Sequence, residues 1–237
     1  MGLLDFLTGG EEGQVRRHTK RLVNINAQAE DREISSHWLA EHGGEEAVLG
    51  LLGRFGMSLE HHMKDKKEKD LVFDLLLSMG DQVVQPTSLW IQSAQSFAQP
   101  LRIIEHFRGP EEVVSLLLEL IVQENDPFKP EKKRQLLIKL AEYKDDRIQD
   151  TIESILEDFD EGVRYAAAEA LLAQDDETVR LPLAAVLGNP EEESNRIKVR
   201  LASAFHQRGW SIGEHADSVA KYPPVGWIVE ADRLRPE

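Results

Sequence analysis

One apolar spacing recurs along this chain and constrains its fold more than any other feature. Apolar residues repeatedly occupy positions i, i+4, i+7 and i+8, which is the pattern of the buried stripe of an amphipathic helix. The five clear copies are Ala47, Leu51 and Phe55, with Arg54 at the i+7 position; Val83, Thr87, Trp90 and Ile91; Val113, Leu117, Leu120 and Ile121; Ile148, Ile152, Ile155 and Leu156; and Val179, Leu183, Val186 and Leu187. A weaker sixth copy is Val15, Thr19, Leu22 and Val23.

The six copies begin at positions 15, 47, 83, 113, 148 and 179, which lie 30 to 36 residues apart. A period of this length is typical of stacked two-helix repeats, in which no single pair can bury its own apolar face. Each stripe therefore predicts the first helix of a pair. We expect an all-α fold, a right-handed α-α superhelix (α-solenoid) of about six helix pairs.

The second helix of each pair is predicted from the apolar residues that follow each stripe. These residues are Ile34, Trp38 and Leu39; Leu71, Val72, Leu75, Leu76 and Met79; Leu101, Ile104 and Phe107; Leu136, Leu137, Leu140 and Ala141; Val163, Ala166, Ala167, Ala170 and Leu171; and Ile197, Leu201, Ala204 and Phe205. Every other pair is predicted to contain a longer internal turn, at 57–70, 123–132 and 188–195. Such turns would project from one edge of a solenoid, or they reflect neutral variation in loop length.

Turn residues precede each of the five clear stripes and support this division into pairs. They are Gly43-Gly44-Glu45-Glu46, Gly80-Asp81, Gly109-Pro110-Glu111-Glu112, Lys144-Asp145-Asp146 and Asp175-Asp176-Glu177. Glycine can end a helix with a positive φ, whereas Asp, Pro and Glu suit the start of the next helix.

The chain is predicted to have three parts. Residues 1–10 form a flexible N-terminal segment, residues 11–209 the helical-repeat solenoid, and residues 210–237 a non-helical C-terminal cap. In the last part, Pro223-Pro224 disfavours a helix, and the apolar residues Trp210, Ile212 and 225–229 can cover the last helix pair. The alternative is that this segment docks on a partner. The apolar residues of the N-terminal segment can cover the open end of the first repeat, or dock on a partner or a membrane.

The charge of the chain argues against several classes of partner. With 28 basic and 43 acidic residues the formal net charge is −15, which disfavours binding to nucleic acid or to anionic lipid across the whole surface. No cysteine is present, so disulfides, thiolate metal sites and a cysteine nucleophile are excluded. No apolar run is long enough to span a membrane, and the N-terminus lacks signal-peptide and myristoylation patterns. We expect a cytoplasmic protein without a membrane partner.

The residues from Asp158 to Leu171, DFDEGVRYAAAEAL, resemble a HEAT repeat, and in particular the bacterial lyase-like HEAT repeats. In that family an Asp after the first helix precedes Val-Arg and an Ala-rich second helix. Val199-Arg200 and the following LASA are similar to a second copy. The resemblance implies a HEAT-type fold in which Arg164 and Arg200 contact acceptors in neighbouring repeats. Either Asp158 or Asp160 is expected to cap the second helix.

No constellation of catalytic or metal-ligating residues is recognisable. His61 and His62 are adjacent, so on a helix they would point about 100° apart and could not chelate together as an i, i+4 pair does. The chain has no P-loop, no GxGxxG and no GxSxG motif. We therefore expect a protein that is not an enzyme and that has no cofactor and no metal.

Basic clusters stand out against the acidic background and are the best candidates for a binding site. The candidate partner-binding residues are Lys64, Lys66, Lys67, Lys132, Lys133, Arg134 and Lys198. These positions lie at the long turns or at the starts of second helices, where they could line one rim or the concave face. There they could receive an acidic peptide or a phosphate backbone. Alternatively, they neutralise nearby carboxylates.

Three functions remain open. The preferred one is a non-catalytic HEAT-repeat scaffold or adaptor that binds a protein partner on its concave face or long-turn rim. The second is a nucleic-acid-binding module similar to the HEAT-like alkylated-DNA glycosylases, with Trp38, Trp90 and lysines lining a groove. No catalytic Asp can be assigned, and the net charge argues against nucleic acid as a partner. The third is an accessory subunit of a lyase-type enzyme, which rests on the resemblance alone.

Overall fold

A computed structural model describes residues 10–237, and the predicted N-terminal segment therefore lies outside the described residues except for Gly10. The described chain contains thirteen α-helices and one two-stranded sheet, which confirms the prediction of a helical protein. It divides into two compact units between Val113 and Val114. We call these unit 1 and unit 2 and describe each by itself.

The helices of unit 1 are α1 (Gly10–Leu22), α2 (Ala29–His42), α3 (Glu45–Leu52), α4 (His62–Ser78), α5 (Val84–Ser93) and α6 (Ala98–Arg108). Helix α7 (Pro110–Gln123) begins in unit 1 and continues into unit 2. Unit 2 then contains α8 (Pro130–Leu140), α9 (Asp146–Ile152), α10 (Glu161–Gln174), α11 (Arg180–Gly188), α12 (Asn195–Arg208), α13 (Ala216–Lys221), β1 (Trp227–Glu230) and β2 (Arg233–Pro236). Helices α1 to α12 correspond to the six predicted pairs.

The apolar stripes are buried, as their spacing predicts. All of their members are buried except Thr19, Val23 and Trp90, which are partly or more fully exposed. Several stripe residues lie in short 3₁₀ turns that extend the first helices, namely Gly53–Gly56, Asp81–Val83, Glu153–Glu157 and Glu177–Val179. Because each stripe is set by local spacing, helix formation places its residues on one face, and packing against neighbouring helices buries that face.

The predicted turn residues mark the helix boundaries. Gly43 and Gly109 have φ of 73° and 83°, in the region that residues with a Cβ avoid, and each ends a helix. Asp145 caps the start of α9, where its side chain accepts a hydrogen bond from the amide of Arg147. Of the two aspartates considered as the cap of α10, Asp160 fills this role, since its side chain accepts from the amide of Val163 at 3.0 Å.

Within unit 1 the helices pack in two rows. The first helices α1, α3 and α5 contact one another in succession, and the second helices α2, α4 and α6 do the same. In unit 2 the second helices α8, α10 and α12 form a similar row. The Ala-rich sequence of α10 allows this close approach, and Ala166, Ala167, Ala168 and Ala170 are all buried.

One local prediction was wrong. The segment 57–70 is not a long turn, since α4 begins at His62 and its charged residues are helical. Ile34 lies in the second helix of its pair, as predicted, but its side chain is 59% exposed. The buried face of α2 includes Arg32, Ser35, Ser36 and Leu39.

The C-terminal segment differs from the predicted non-helical cap because it contains α13 and a β-hairpin. Strands β1 and β2 are antiparallel, and the turn between them places Ala231 and Asp232 at positive φ. Helix α13 packs against α11, and β2 packs against α12. Ile212, Val219 and Leu234 are buried, and Trp210 makes an edge-to-face contact with Phe205 of α12. The segment thus lies against the last helix pair.

Candidate protein-interaction surface

The seven candidate basic residues lie near the starts of three second helices. Lys64, Lys66 and Lys67 are in α4 of unit 1; the other four, Lys132, Lys133, Arg134 and Lys198, are in α8 and α12 of unit 2. The predicted set is therefore divided between the two compact units.

Four of the seven are paired with carboxylates. Lys66 is 2.5 Å from Asp70, Lys132 is 3.5 Å from Glu124 and Lys133 is 2.7 Å from Asp158. Arg134 pairs with Glu131 in its own helix. Among residues 10–237, Lys64 and Lys67 have no carboxylate within ion-pair distance. For the four paired residues the geometry supports neutralisation of neighbouring acids.

A denser network of charges is buried in unit 1. Arg54, the polar residue in the first clear stripe, is fully buried, and its Nη2 lies 2.8 Å from Asp65 and its Nε 3.2 Å from Glu68. Glu68 also receives both Nε and Nη2 of Arg32, at 2.9 and 2.7 Å. Lys69 completes the network at 2.7 Å from Asp65. The stripe tolerates Arg54 because its charge is matched inside the fold.

The acids of this network stay ionised. Burial by itself raises the pKa of Asp65, but hydrogen bonds from Lys69, Arg54 and the amide of Leu59 outweigh it, so the pKa lies below its usual value. Burial also acts to raise the pKa of Glu68, but the hydrogen bonds and charges of Arg32 and Arg54 outweigh it, so this pKa also lies below its usual value. The network therefore belongs to the structural framework and is not a store of labile protons.

The same geometry recurs in unit 2. Arg164 donates from Nε and Nη2 to the carboxylate of Glu192, at 2.7 and 2.9 Å, and from Nη1 to the carbonyl oxygens of Asp158 and Phe159. Burial acts to raise the pKa of Glu192, but hydrogen bonds from Arg164 and the amide of Ser194, with the nearby charge of Lys198, lower it. Lys198 thus contributes to the electrostatics of this ion pair.

Arg164 and Arg200 both contact acceptors on neighbouring elements, as predicted. Arg164 reaches Glu192, which lies in the turn between α11 and α12, and Arg200 of α12 reaches Glu169 of α10 at 2.5 Å. Both side chains are engaged in ion pairs within the fold, so they are not candidates for partner binding.

Two phenylalanines of unit 2, in the internal turns of two successive helix pairs, are almost fully exposed. Phe128 lies between α7 and α8 and is 90% exposed, and Phe159 lies between α9 and α10 and is 88% exposed. A groove of about 170 Å³ lies between their turns, lined by Glu124, Asn125, Asp126, Pro127, Pro130, Lys133, Asp158, Phe159 and Val163. We call Phe128, Phe159 and this groove the aromatic rim.

Both rings are presented from backbone that is held in place. The carboxylate of Asp126 accepts a hydrogen bond from the amide of Phe128 at 3.0 Å. Asp158 accepts from the amide of Asp160 at 3.0 Å, and the carbonyl of Phe159 accepts from Arg164 at 3.2 Å. Of the predicted partner-binding residues, Lys133 lies here, where it lines the groove and pairs with Asp158. Chemically the aromatic rim offers two exposed rings beside a largely polar groove, whose carboxylates at Glu124, Asp126 and Asp158 are paired with lysines.

Sequence reasoning did not identify the aromatic rim. Phenylalanine is usually a core residue, and the outward position of these two depends on turn geometry. The available signal was local: each Phe follows an Asp by one or two residues in a segment without helical spacing, in NDPFKP and EDFDEG.

The aromatic residues considered for nucleic-acid binding lie in unit 1. Trp38 is stacked between His18 and His42, with ring centroids 4.2 and 4.8 Å away. Trp90 packs partly against the hydrophobic core. His61 and His62 are exposed, and within residues 10–237 no cluster of three or more His, Asp or Glu side chains could hold a metal ion.

No helix in the described part of the chain is both long and apolar enough to cross a membrane.

Comparisons with known protein families, with curated proteins and with solved structures gave no match.

Proposed function

We propose that this protein is a non-catalytic helical-repeat scaffold or adaptor that binds a protein partner at the aromatic rim of unit 2. One observation carries the proposal: Phe159 is almost fully exposed and lines a groove, and the turn on the other side of that groove carries the almost fully exposed Phe128. Single exposed apolar residues are ordinary on a protein surface, whereas exposed aromatic rings on the two turns that line one groove are characteristic of interaction sites.

The rigidity of the aromatic rim supports this role. Aromatic side chains dominate the central contacts of protein interfaces because they bury a large area at a small cost in conformational entropy. Here the backbone of both rings is already fixed by the carboxylates of Asp126 and Asp158. A partner would therefore meet a surface that needs little reorganisation.

The basic residues are proposed to assist binding through charge. Lys132, Lys133 and Arg134 lie at the start of α8, beside the aromatic rim, and their ion pairs favour a role in orientation over a role in affinity. Lys64, Lys66, Lys67 and Lys198 remain candidates for a secondary contact.

For the architecture we propose a HEAT-like right-handed superhelix. It is supported by the two rows of helices in unit 1, by the comparable row in unit 2, and by the repeated Arg–Glu geometry of Arg32 and Arg164. A cytoplasmic location is proposed on the absence of cysteine, which suits a reducing compartment.

The experiment that tests the function is site-specific photo-crosslinking in native cells. A photoreactive phenylalanine analogue replaces Phe128 or Phe159 in the full chain, and in a control it replaces Leu181, another exposed apolar residue of unit 2. We expect the same protein to be cross-linked from positions 128 and 159 and not from 181. The double variant Phe128→Ser/Phe159→Ser should lose this protein in affinity purification.

Two results would overturn the proposal. One is the absence of any protein specific to positions 128 and 159. The other is recovery of nucleic acid in place of protein, with binding that falls steeply as salt increases, which would favour the nucleic-acid module.

A further inference from the structure

A second apolar surface lies in unit 1, along the outer side of α2. It is an open groove of about 520 Å³ lined by Glu30, Glu33, Ile34, His37, Trp38 and Glu41. We call it the α2 groove. It lies in the other compact unit from the aromatic rim, so the two surfaces can be tested separately.

The floor of the α2 groove is apolar and held rigid. Ile34 is 59% exposed, one helical turn from Trp38. The indole of Trp38 is stacked between the rings of His18 and His42, nearly parallel to both. His18 is itself fixed by a hydrogen bond of 3.2 Å to Ser35. An exposed isoleucine beside an immobilised tryptophan forms a preformed apolar anchor site.

The edge of the α2 groove is acidic. Glu30, Glu33 and Glu41 line it and are exposed, and no lysine or arginine is among the described residues that line it. Burial, followed by the charges of Arg21 and Arg17, lowers the pKa of His18, so this neighbour adds little positive charge at neutral pH. The charged side chains that line the apolar floor are therefore all acidic.

We propose that the α2 groove binds a cationic amphipathic segment of another protein. Apolar side chains of that segment would cover Ile34 and Trp38, while lysine or arginine side chains on either side would meet Glu30, Glu33 and Glu41. Charge complementarity selects this occupant, since an acidic or purely apolar segment would leave three glutamates desolvated or opposed. The protein would then have two docking surfaces of different chemistry.

The test uses a defined probe. It is a fluorescein-labelled 16-residue peptide with leucine at helical positions i, i+4, i+7 and i+11 and lysine or arginine at the flanking positions. Binding to the full-length protein is measured by fluorescence anisotropy at physiological salt. We expect saturable one-to-one binding, weakened about ten-fold or more by Glu33→Lys/Glu41→Lys and by Ile34→Asp.

Matched controls separate the groove from the general acidity of the chain. Glu60→Lys/Asp74→Lys makes the same change in net charge at two other exposed acids of unit 1 and should leave the affinity unchanged. Phe128→Ser/Phe159→Ser should also bind the peptide normally, so a failure at the aromatic rim does not affect this result. Circular dichroism of each variant shows whether it is folded.

Other occupants give distinct outcomes, each of which overturns the proposal. Equal binding of a peptide with glutamine in place of its basic residues would show that charge plays no part. A dimer of the protein that dissociates on Ile34→Asp would assign the groove to a second copy. Probe binding that strengthens about ten-fold on Leu4→Asp/Phe6→Asp would assign it to residues 1–9 of this chain. Equal loss of binding in the Glu60 and Asp74 control would indicate non-specific attraction.

Discussion

Arg164 and Glu192 form a two-point ion pair, with Nε 2.7 Å from Oε2 and Nη2 2.9 Å from Oε1. The remaining nitrogen, Nη1, donates to backbone carbonyls of the turn before its own helix. Arg32 does the same with Glu68, and its Nη1 donates to the carbonyls of Asn24 and Ala27. Each arginine thus links the turn that precedes its helix to a glutamate later in the chain, 28 residues away for Arg164 and 36 residues away for Arg32.

The first prediction concerns the free energy of unfolding of an Arg164→Leu variant. Removing the guanidinium leaves the carboxylate of Glu192 buried without its partner, so we expect a loss of about 3 kcal/mol. Arg164→Lys should recover only part of this, because an ammonium cannot make both bonds of the fork. Urea unfolding followed by circular dichroism measures the difference.

The matched control is Arg134→Leu, which removes an exposed arginine from an i, i+3 pair with Glu131 and should cost less than about 1 kcal/mol. The double variant Arg164→Leu/Glu192→Leu should be more stable than Arg164→Leu alone. If the double variant were the less stable of the two, the unpaired carboxylate would not be the cause.

The second prediction concerns acid unfolding. The pKa values of Asp65, Glu68 and Glu192 are lowered by folding. Their stabilisation is therefore complete above the pKa of about 4 of an unfolded carboxyl and is lost as pH falls through the lower folded values. We expect the melting temperature to be nearly constant from neutral pH to about pH 5 and to fall steeply below about pH 4.

Glu68→Gln tests the contribution of one group to this fall. The variant should be less stable at neutral pH, because Arg32 and Arg54 lose a charge partner, but its stability should depend less on pH below about 4. Glu60→Gln, at an exposed site, serves as the control and should follow the parent protein. Parallel curves for the parent and Glu68→Gln would contradict the assigned pKa shift.

The third prediction concerns the contact between α1 and α3. A Cβ added at Gly50 would lie closer to Thr19 Oγ1 than van der Waals contact allows, and 3.4 Å from Thr19 Cβ. Gly50→Ala should therefore destabilise the protein by about 1–3 kcal/mol despite the better helix propensity of alanine. Thermal unfolding gives the change, and Thr19→Ala in the same chain should recover part of it because the clashing oxygen is removed. No recovery would place the strain elsewhere.

The fourth prediction concerns nucleic acid. We expect no saturable binding of a random-sequence DNA duplex at about 50 mM salt and tens of micromolar protein, conditions in which non-specific DNA-binding proteins do bind. Fluorescence anisotropy of labelled DNA is the measurement, with a basic DNA-binding protein as the positive control. Binding that is lost on Lys64→Glu/Lys67→Glu would instead show that these two lysines contact phosphate.

The fold was predictable where local spacing alone decides the outcome. The six stripes and the turns at Gly43, Gly109 and Asp145 are features of a few neighbouring residues, and they match the structure. The exposure of Ile34 could not be predicted, because residue type and spacing do not show which face of α2 is buried. Its exposure depends on the position of α2 against α1, α3 and α4, which is a non-local property.

The candidate surfaces were less predictable for the same physical reason. The clusters of lysines are visible in the sequence, but their partners are not. Lys133 and Asp158, for example, are 25 residues apart, and their pairing is a tertiary contact. The exposure of Phe128 and Phe159 results from turn geometry, which their residue type opposes. The hairpin formed by β1 and β2 was also missed, since strands of four residues carry little periodicity.

The link between Arg32 and Glu68 has a consequence for the nascent chain. Synthesis runs from the N-terminus, so Arg32 emerges from the ribosome 36 residues before its carboxylate partner. Until Glu68 and α4 arrive, α1 and α2 can close only by leaving a guanidinium buried without a counter-charge or exposed to water. Stable packing of the first helix pair therefore requires the second pair. A chain whose synthesis stops between the two pairs remains accessible to chaperones and proteases.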